Sequence, residues 1–110
     1  MSEERDPHKA VDYILKYAAL FAKAKAERTY IEHYRKSLKA LLMKRSGETM
    51  IGAQEREAYA HSEMIALLDG LKAAVEIEEK LKWEITAAEL RVQIWKANIY
   101  TENKIVKLLQ

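Results

Sequence analysis

Three histidines, at positions 8, 33 and 61, are the side chains best suited to metal or acid–base chemistry. None falls in a His-Glu-x-x-His or paired Glu-x-x-His pattern, the spacings that place metal ligands on one helix face. Glu57 and His61 are four residues apart and could share a face, but a pair alone is a weak signal and a surface helix turn is the better explanation. No Gly-x-Ser-x-Gly elbow or glycine-rich phosphate loop occurs. We therefore predict a protein that is not an enzyme and that uses no metal or cofactor.

One group of residues suggests binding instead of catalysis. A basic cluster follows Tyr30 and Tyr34 and comprises Arg35, Lys36, Lys39, Lys44 and Arg45. One reading is phosphate contact with bases stacked on the tyrosines. The other is helix-dipole complementation and solubility, because the cluster is spread around the helix and glutamates follow it closely. Direct binding of nucleic acid is thus an alternative prediction.

The composition favours a small, soluble helical protein. The 110 residues include three glycines and one proline, too few for the turns of a β-rich fold. Charged residues make up 33% and the net charge is only +2, with both signs mixed. There is no cysteine, no secretory signal and no run of about 18 apolar residues that would span a membrane. We expect no membrane association and a cytoplasmic location.

Helix signals divide the chain into three helices within a single domain. Asp6 and Pro7 are typical of a helix start, and the first helix is expected over about 7–45, followed by a stop at Gly47. A loop is predicted at about 46–52 and a short helix at about 53–60. A break near His61, with Ser62 as the cap, precedes a long helix over about 62–109.

The long helix over about 62–109 carries one continuous heptad stripe, which predicts a coiled-coil partner. Its members are Met64, Leu67, Leu71, Ala74, Glu78, Leu81, Ile85, Ala88, Val92, Trp95, Ile99, Glu102, Val106 and Leu109. The first helix has a matching stripe, interrupted by Arg28 and Arg35. Its members are Ala10, Ile14, Tyr17, Phe21, Ala24, Arg28, Ile31, Arg35, Leu38 and Leu42. The predicted fold is therefore an all-α, antiparallel helical hairpin.

The two stripes fit best in one register. Placing Leu42 opposite Met64 brings Arg28 opposite Glu78, whereas a shift by one heptad leaves a charge facing an apolar residue. A paired charge is tolerated in a helix seam and fixes register better than an unpaired one. One interpretation is thus a seam ion pair between Arg28 and Glu78 that sets the register. The other is that both side chains point to solvent at the edge of the seam.

A second apolar face predicts self-association. It combines residues of both helices on the side away from the core stripe, and its members are Val11, Leu15, Ala22, Trp83, Leu90, Ile94, Ile105 and Leu108. A lone hairpin has no interior for a second face, and exposed patches of this kind usually mark interfaces. We predict a homodimer that completes a four-helix bundle. Residues 100–110 extend past the first helix and either pair across the dimer or fray.

Three runs of sequence carry a resemblance: YRKSLKALLM at 34–43, EREAYAH at 55–61 and AAELRVQIW at 87–95. With them the chain resembles a family of small helical proteins encoded by tailed bacteriophages and prophages. The resemblance implies a setting near phage recombination or replication genes, without an assigned activity. Together with the surplus apolar face, it suggests a non-catalytic adaptor that contacts a protein partner, in DNA recombination, repair or host defence.

Overall fold

The computed structural model describes residues 6–110 and confirms the all-helical class for that part of the chain. Helix α1 spans Pro7–Arg45, α2 spans Ile51–Ala60 and α3 spans Ser62–Leu109. The chain divides into two compact units. The terminal unit combines the residues up to Phe21 with Lys80–Gln110, and the central unit is Ala22–Glu79.

Helix α1 begins and ends where the sequence predicts. The Asp6 carboxylate accepts a hydrogen bond from the backbone N–H of His8 at 2.9 Å, which satisfies one of the free donors of the first turn. At the other end, Gly47 has a φ of 76°. That left-handed conformation is easy for glycine, and Lys44 and Arg45 occupy the last turn, where positive charge suits the helix dipole.

The loop after α1 is shorter than predicted, because α2 already begins at Ile51. We expected the loop to continue through Gly52 and the short helix to start at Ala53. Glycine is a poor helix residue in a helix interior, but near a helix N-terminus the backbone N–H groups are unpaired in any case. The side-chain amide of Gln54 also donates to the Glu48 carbonyl oxygen at 2.8 Å and ties the loop to α2.

His61 interrupts the helices at the predicted break, with extended backbone angles of φ −67° and ψ 140°. The predicted cap was Ser62, and this was wrong. The cap is His61, whose Nδ1 accepts a hydrogen bond from the backbone N–H of Glu63 at 3.1 Å. An imidazole acceptor at this position does what a serine hydroxyl does at most N-caps.

The core of the central unit is a small apolar cluster at the junction of the three helices. Leu38 and Leu42 of α1, Ala58 of α2 and Met64 of α3 are buried, with Met43 and Leu67 packed against them. Helix α2 therefore covers one side of the cluster with a residue small enough for close approach. Helices α1 and α3 are antiparallel in this unit, because Arg28 pairs with Glu78 whereas the later residue Arg45 pairs with the earlier residue Glu63.

The predicted heptad stripes turn inward over most of their length, but the last five members of the α3 stripe are exposed and that part of the prediction was wrong: Trp95, Ile99, Glu102, Val106 and Leu109. Every member of the α1 stripe from Ala10 to Leu42 is buried or half-buried except Arg35, which is exposed. Every member of the α3 stripe from Met64 to Val92 is likewise buried or half-buried. From residue 93 to the end of the chain all side chains are exposed, so the uncovered segment starts before the predicted Tyr100.

Two glycines give opposite predictions for stability. Gly70 lies within α3 with no atom within 4 Å of an added Cβ, so Gly70→Ala should stabilise the protein by about 1 kcal/mol. Gly47 has equal space but a positive φ, so Gly47→Ala should destabilise it by about 1 kcal/mol. Urea unfolding of both variants at one protein concentration measures the difference. Changes of the same sign would contradict this assignment of the two backbones.

Candidate functional site

The first candidate site is the ion pair in the seam of the central unit. Arg28 Nε donates to Glu78 Oε2 at 2.6 Å, and Nη2 donates to Oε1 at 3.0 Å. The remaining guanidinium nitrogen, Nη1, donates to Glu32 Oε2 at 3.0 Å. Two parallel bonds of this kind form the bidentate arrangement in which a carboxylate holds an arginine most firmly.

Burial adds to the importance of this pair. The side chains of Arg28 and Glu78 are only 23% and 13% exposed, so both charges have lost much of their water. The hydrogen bond to Glu78 raises the pKa of Arg28 further above its already high value. Of the two interpretations of the sequence, the structure shows the seam contact and not two solvent-facing charges. The role of the pair in setting the register stays a prediction.

The second candidate site is the apolar face of the terminal unit. All the predicted members that belong to this unit are exposed: Val11, Leu15, Trp83, Leu90, Ile94, Ile105 and Leu108. The largest exposures near the middle of the face are 69% for Leu15, 64% for Trp83 and 60% for Ile94. Ala22, the first residue of the central unit, is exposed as well. Among the described residues, nothing covers this face.

A hydrogen bond in the terminal unit was not predicted. The hydroxyl of Tyr13 donates to Glu84 Oε2 at 2.8 Å, and this bond raises the pKa of Tyr13. The centre of the Tyr13 ring also lies 4.2 Å from the centre of the Tyr17 ring. In the predicted register Ile14 lies opposite Val92, seven residues beyond Ile85, so that register gave no signal for a bond between Tyr13 and Glu84.

The basic cluster is only partly available for a ligand. Lys39 Nζ lies 3.8 Å from a Glu55 carboxylate oxygen and 5.0 Å from the centre of the Tyr59 ring. Tyr59, and then Glu55, raise the pKa of Lys39. Arg45 lies 3.8 Å from a Glu63 carboxylate oxygen. Two members of the cluster therefore already have acidic neighbours on α2 and α3.

The other members of the cluster are more open. Arg35, Lys36 and Lys44 are exposed and form no ion pair within residues 6–110. Tyr30 and Tyr34, also exposed, stack on each other with ring centres 6.1 Å apart and planes 9° from parallel. Proteins that bind single-stranded nucleic acid stack its bases on exposed aromatic rings and contact its phosphates with basic side chains.

The residues capable of catalysis are not brought together. Within residues 6–110 no group of three or more histidine or carboxylate side chains is placed to hold a metal ion. Glu57 and His61 are both exposed, and the Nδ1 of His61 is engaged as the cap of α3. The same part of the chain contains no helix long and apolar enough to cross a bilayer.

In comparisons with known proteins, no family model, no curated protein and no solved structure matches this chain.

The seam ion pair predicts non-additive effects on stability. Arg28→Ala and Glu78→Ala should each lower the urea midpoint, because each leaves a partly buried charge without its partner. The double variant should lose much less than the two single losses combined. Arg45→Ala with Glu63→Ala is the matched control, because that pair is more than half exposed and 3.8 Å apart. The control changes should add, and additive losses at Arg28 and Glu78 would exclude the proposed coupling.

Proposed function

We propose that this chain is a non-catalytic helical adaptor that acts through protein–protein contacts and first associates with a second copy of itself. The exposed apolar face of the terminal unit is the observation on which the proposal rests. Trp83 on α3 and Leu15 on α1 leave about two thirds of their surfaces in water. Side chains of this size contribute about 1.5–3 kcal/mol each when a partner covers them.

The small core supports the same proposal. In the central unit the buried cluster has four members, and among the described residues of the terminal unit only Ala10 and Ala88 are buried. Short chains with little buried apolar surface commonly obtain stability by oligomerisation. A dimer would bring two long helices from each copy together, which is the number in a four-helix bundle. Because the exposed apolar positions of α3 lie on its side away from α1, we propose that the two α3 helices pack on each other and that each α1 stays on the outside.

The resemblance to phage-encoded helical proteins supplies the setting of the proposal. A helical dimer with an apolar surface is suited to hold or modulate a protein partner without chemistry of its own. We propose that the partner belongs to DNA recombination, repair or host-defence machinery in the cytoplasm of the host cell. Recovery of the same partner in pull-downs that use the wild-type chain, but not a variant with an altered face, would support this setting.

Self-association can be tested with two matched isoleucines. Ile94 on the apolar face is 60% exposed, and Ile77 in the central unit is 57% exposed but is not a member of that face. In sedimentation equilibrium, Ile94→Glu should weaken the dimer by more than about tenfold, because a carboxylate enters the interface in both copies. Ile77→Glu should have little effect, and circular dichroism checks that both remain helical. A wild-type monomer at micromolar concentration would refute the proposal.

Direct binding of nucleic acid is the second candidate function, favoured by the unpaired basic residues beside the stacked tyrosines. Replacing Arg35, Lys36 and Lys44 by alanine should then lower the affinity for an oligonucleotide and reduce its salt dependence. Replacing Lys96, Lys104 and Lys107 removes the same charge elsewhere and is the control. Equal losses from both triple variants, measured by fluorescence anisotropy, would indicate attraction by net charge and not a site.

A further inference from the structure

The apolar face of the terminal unit contains a second heptad seam on α3. Trp83, Ala87, Leu90, Ile94 and Ala97 recur at alternating intervals of four and three residues, as a coiled-coil seam does. These positions lie on the side of α3 turned away from its buried stripe, which in this unit includes Ile85, Ala88 and Val92. All five are exposed. We call this set the outer seam.

The outer seam is complementary to itself when it is reversed about Leu90. Trp83 lies seven residues before Leu90 and Ala97 seven residues after it. Ala87 and Ile94 lie three before and four after. An antiparallel copy centred on Leu90 therefore places the large Trp83 opposite Ala97, Ile94 opposite Ala87, and Leu90 opposite itself. Large residues face small ones in the layers on both sides of the central Leu90 pair, which is the pattern of a closely packed interface.

The neighbouring registers lack this match. Centring the pair on Ala87 places Lys80 opposite Ile94 and makes Trp83 compete with Leu90 for space. Centring it on Ile94 places Lys104 opposite Trp83. Both shifts place a lysine opposite an apolar side chain, and the first also places two large side chains in one layer. A charge without a partner and an overpacked layer each destabilise a packed seam.

The edges of the outer seam are compatible with pairing to a copy. One edge carries Thr86, Gln93 and Tyr100, which are uncharged. The other carries Glu84 and Arg91, one charge of each sign. Neither edge carries a run of like charges. In this register Arg91 lies beside the two-fold axis and approaches the Arg91 of the second copy, where both long side chains can extend into water.

We propose that the outer seam binds the outer seam of a second copy of this chain in antiparallel orientation, with the two-fold axis at Leu90. This inference rests on the proposed self-association and specifies its geometry. The interface is isologous, so the same residues serve on both sides and the assembly closes at two copies.

The absence of cysteine from the chain permits a direct test by disulfide cross-linking of the full-length protein. A disulfide needs Cα atoms about 4.4–6.8 Å apart, a distance that residues facing each other at a two-fold axis can meet. Leu90→Cys should therefore cross-link to its own copy under mild oxidation. Ala97→Cys should not, because antiparallel pairing separates the two Ala97 positions by about 21 Å along the helix axis.

A mixture of Trp83→Cys and Ala97→Cys proteins supplies the second arm of the experiment. The mixture should yield a heterodimer, distinguishable on gels when one protein carries a tag. We expect Leu90→Cys and the mixture to cross-link at least about tenfold faster than Ala97→Cys alone. Cross-linking is measured at protein concentrations at which each reduced variant is a dimer in sedimentation equilibrium, because Leu90→Cys and Trp83→Cys remove apolar surface from the proposed interface and should weaken it.

The outcomes separate this inference from the proposal beneath it. A dimer whose Ala97→Cys variant cross-links to itself as fast as Leu90→Cys would overturn the antiparallel register, because every seam position meets its own copy in a parallel pair. A dimer in which Leu90→Cys does not cross-link would overturn it as well. Both results leave the self-associating adaptor standing. A monomer in sedimentation equilibrium would overturn the adaptor proposal too.

Discussion

The central unit depends on one electrostatic constraint, which is that two charges within a helix seam must meet. Arg28 and Glu78 occupy stripe positions whose neighbouring layers are apolar, and their side chains are only 23% and 13% exposed. Glu78 takes two of the guanidinium donors and Glu32 a third, so most of the hydrogen-bonding capacity of Arg28 is satisfied. A shift of α1 along α3 by one heptad would break these hydrogen bonds and leave a charged side chain facing an apolar one.

The same constraint explains why Arg35 behaves differently from Arg28. Both interrupt the apolar stripe of α1, but the residue placed opposite Arg35 by the predicted register is Leu71, which offers no acceptor. Arg35 is exposed, as a long side chain can be when its aliphatic part lies along the helix and its charge reaches water. An arginine in a seam position is thus buried only where a carboxylate meets it.

The parts of the fold that follow from periodicity could be predicted from the sequence. Spacing alone identified the inward stripes of α1 and α3, and charge matching in those stripes brought Arg28 to Glu78. The predictions of helix ends were wrong where a single hydrogen bond determines the first residue or the cap of a helix. His61 caps α3 through an imidazole nitrogen, and α2 starts before Gly52, because either choice is close in energy to the alternative. The bond of Tyr13 to Glu84 requires rotamers that no spacing reveals.

Function could be predicted far less well, because an interface lacks the fixed residue types of a catalytic centre. The apolar face was visible as a repeat, and its exposure in the structure removes the possibility that the rest of the described chain covers it. The outer seam shares the heptad period of the buried stripe on the same helix. A seven-residue repeat favours a left-handed supercoil, so the curvature that suits the partner on one side also suits a partner on the other. Helix α3 therefore carries apolar stripes on two opposite faces, and only one of them is buried within the described chain.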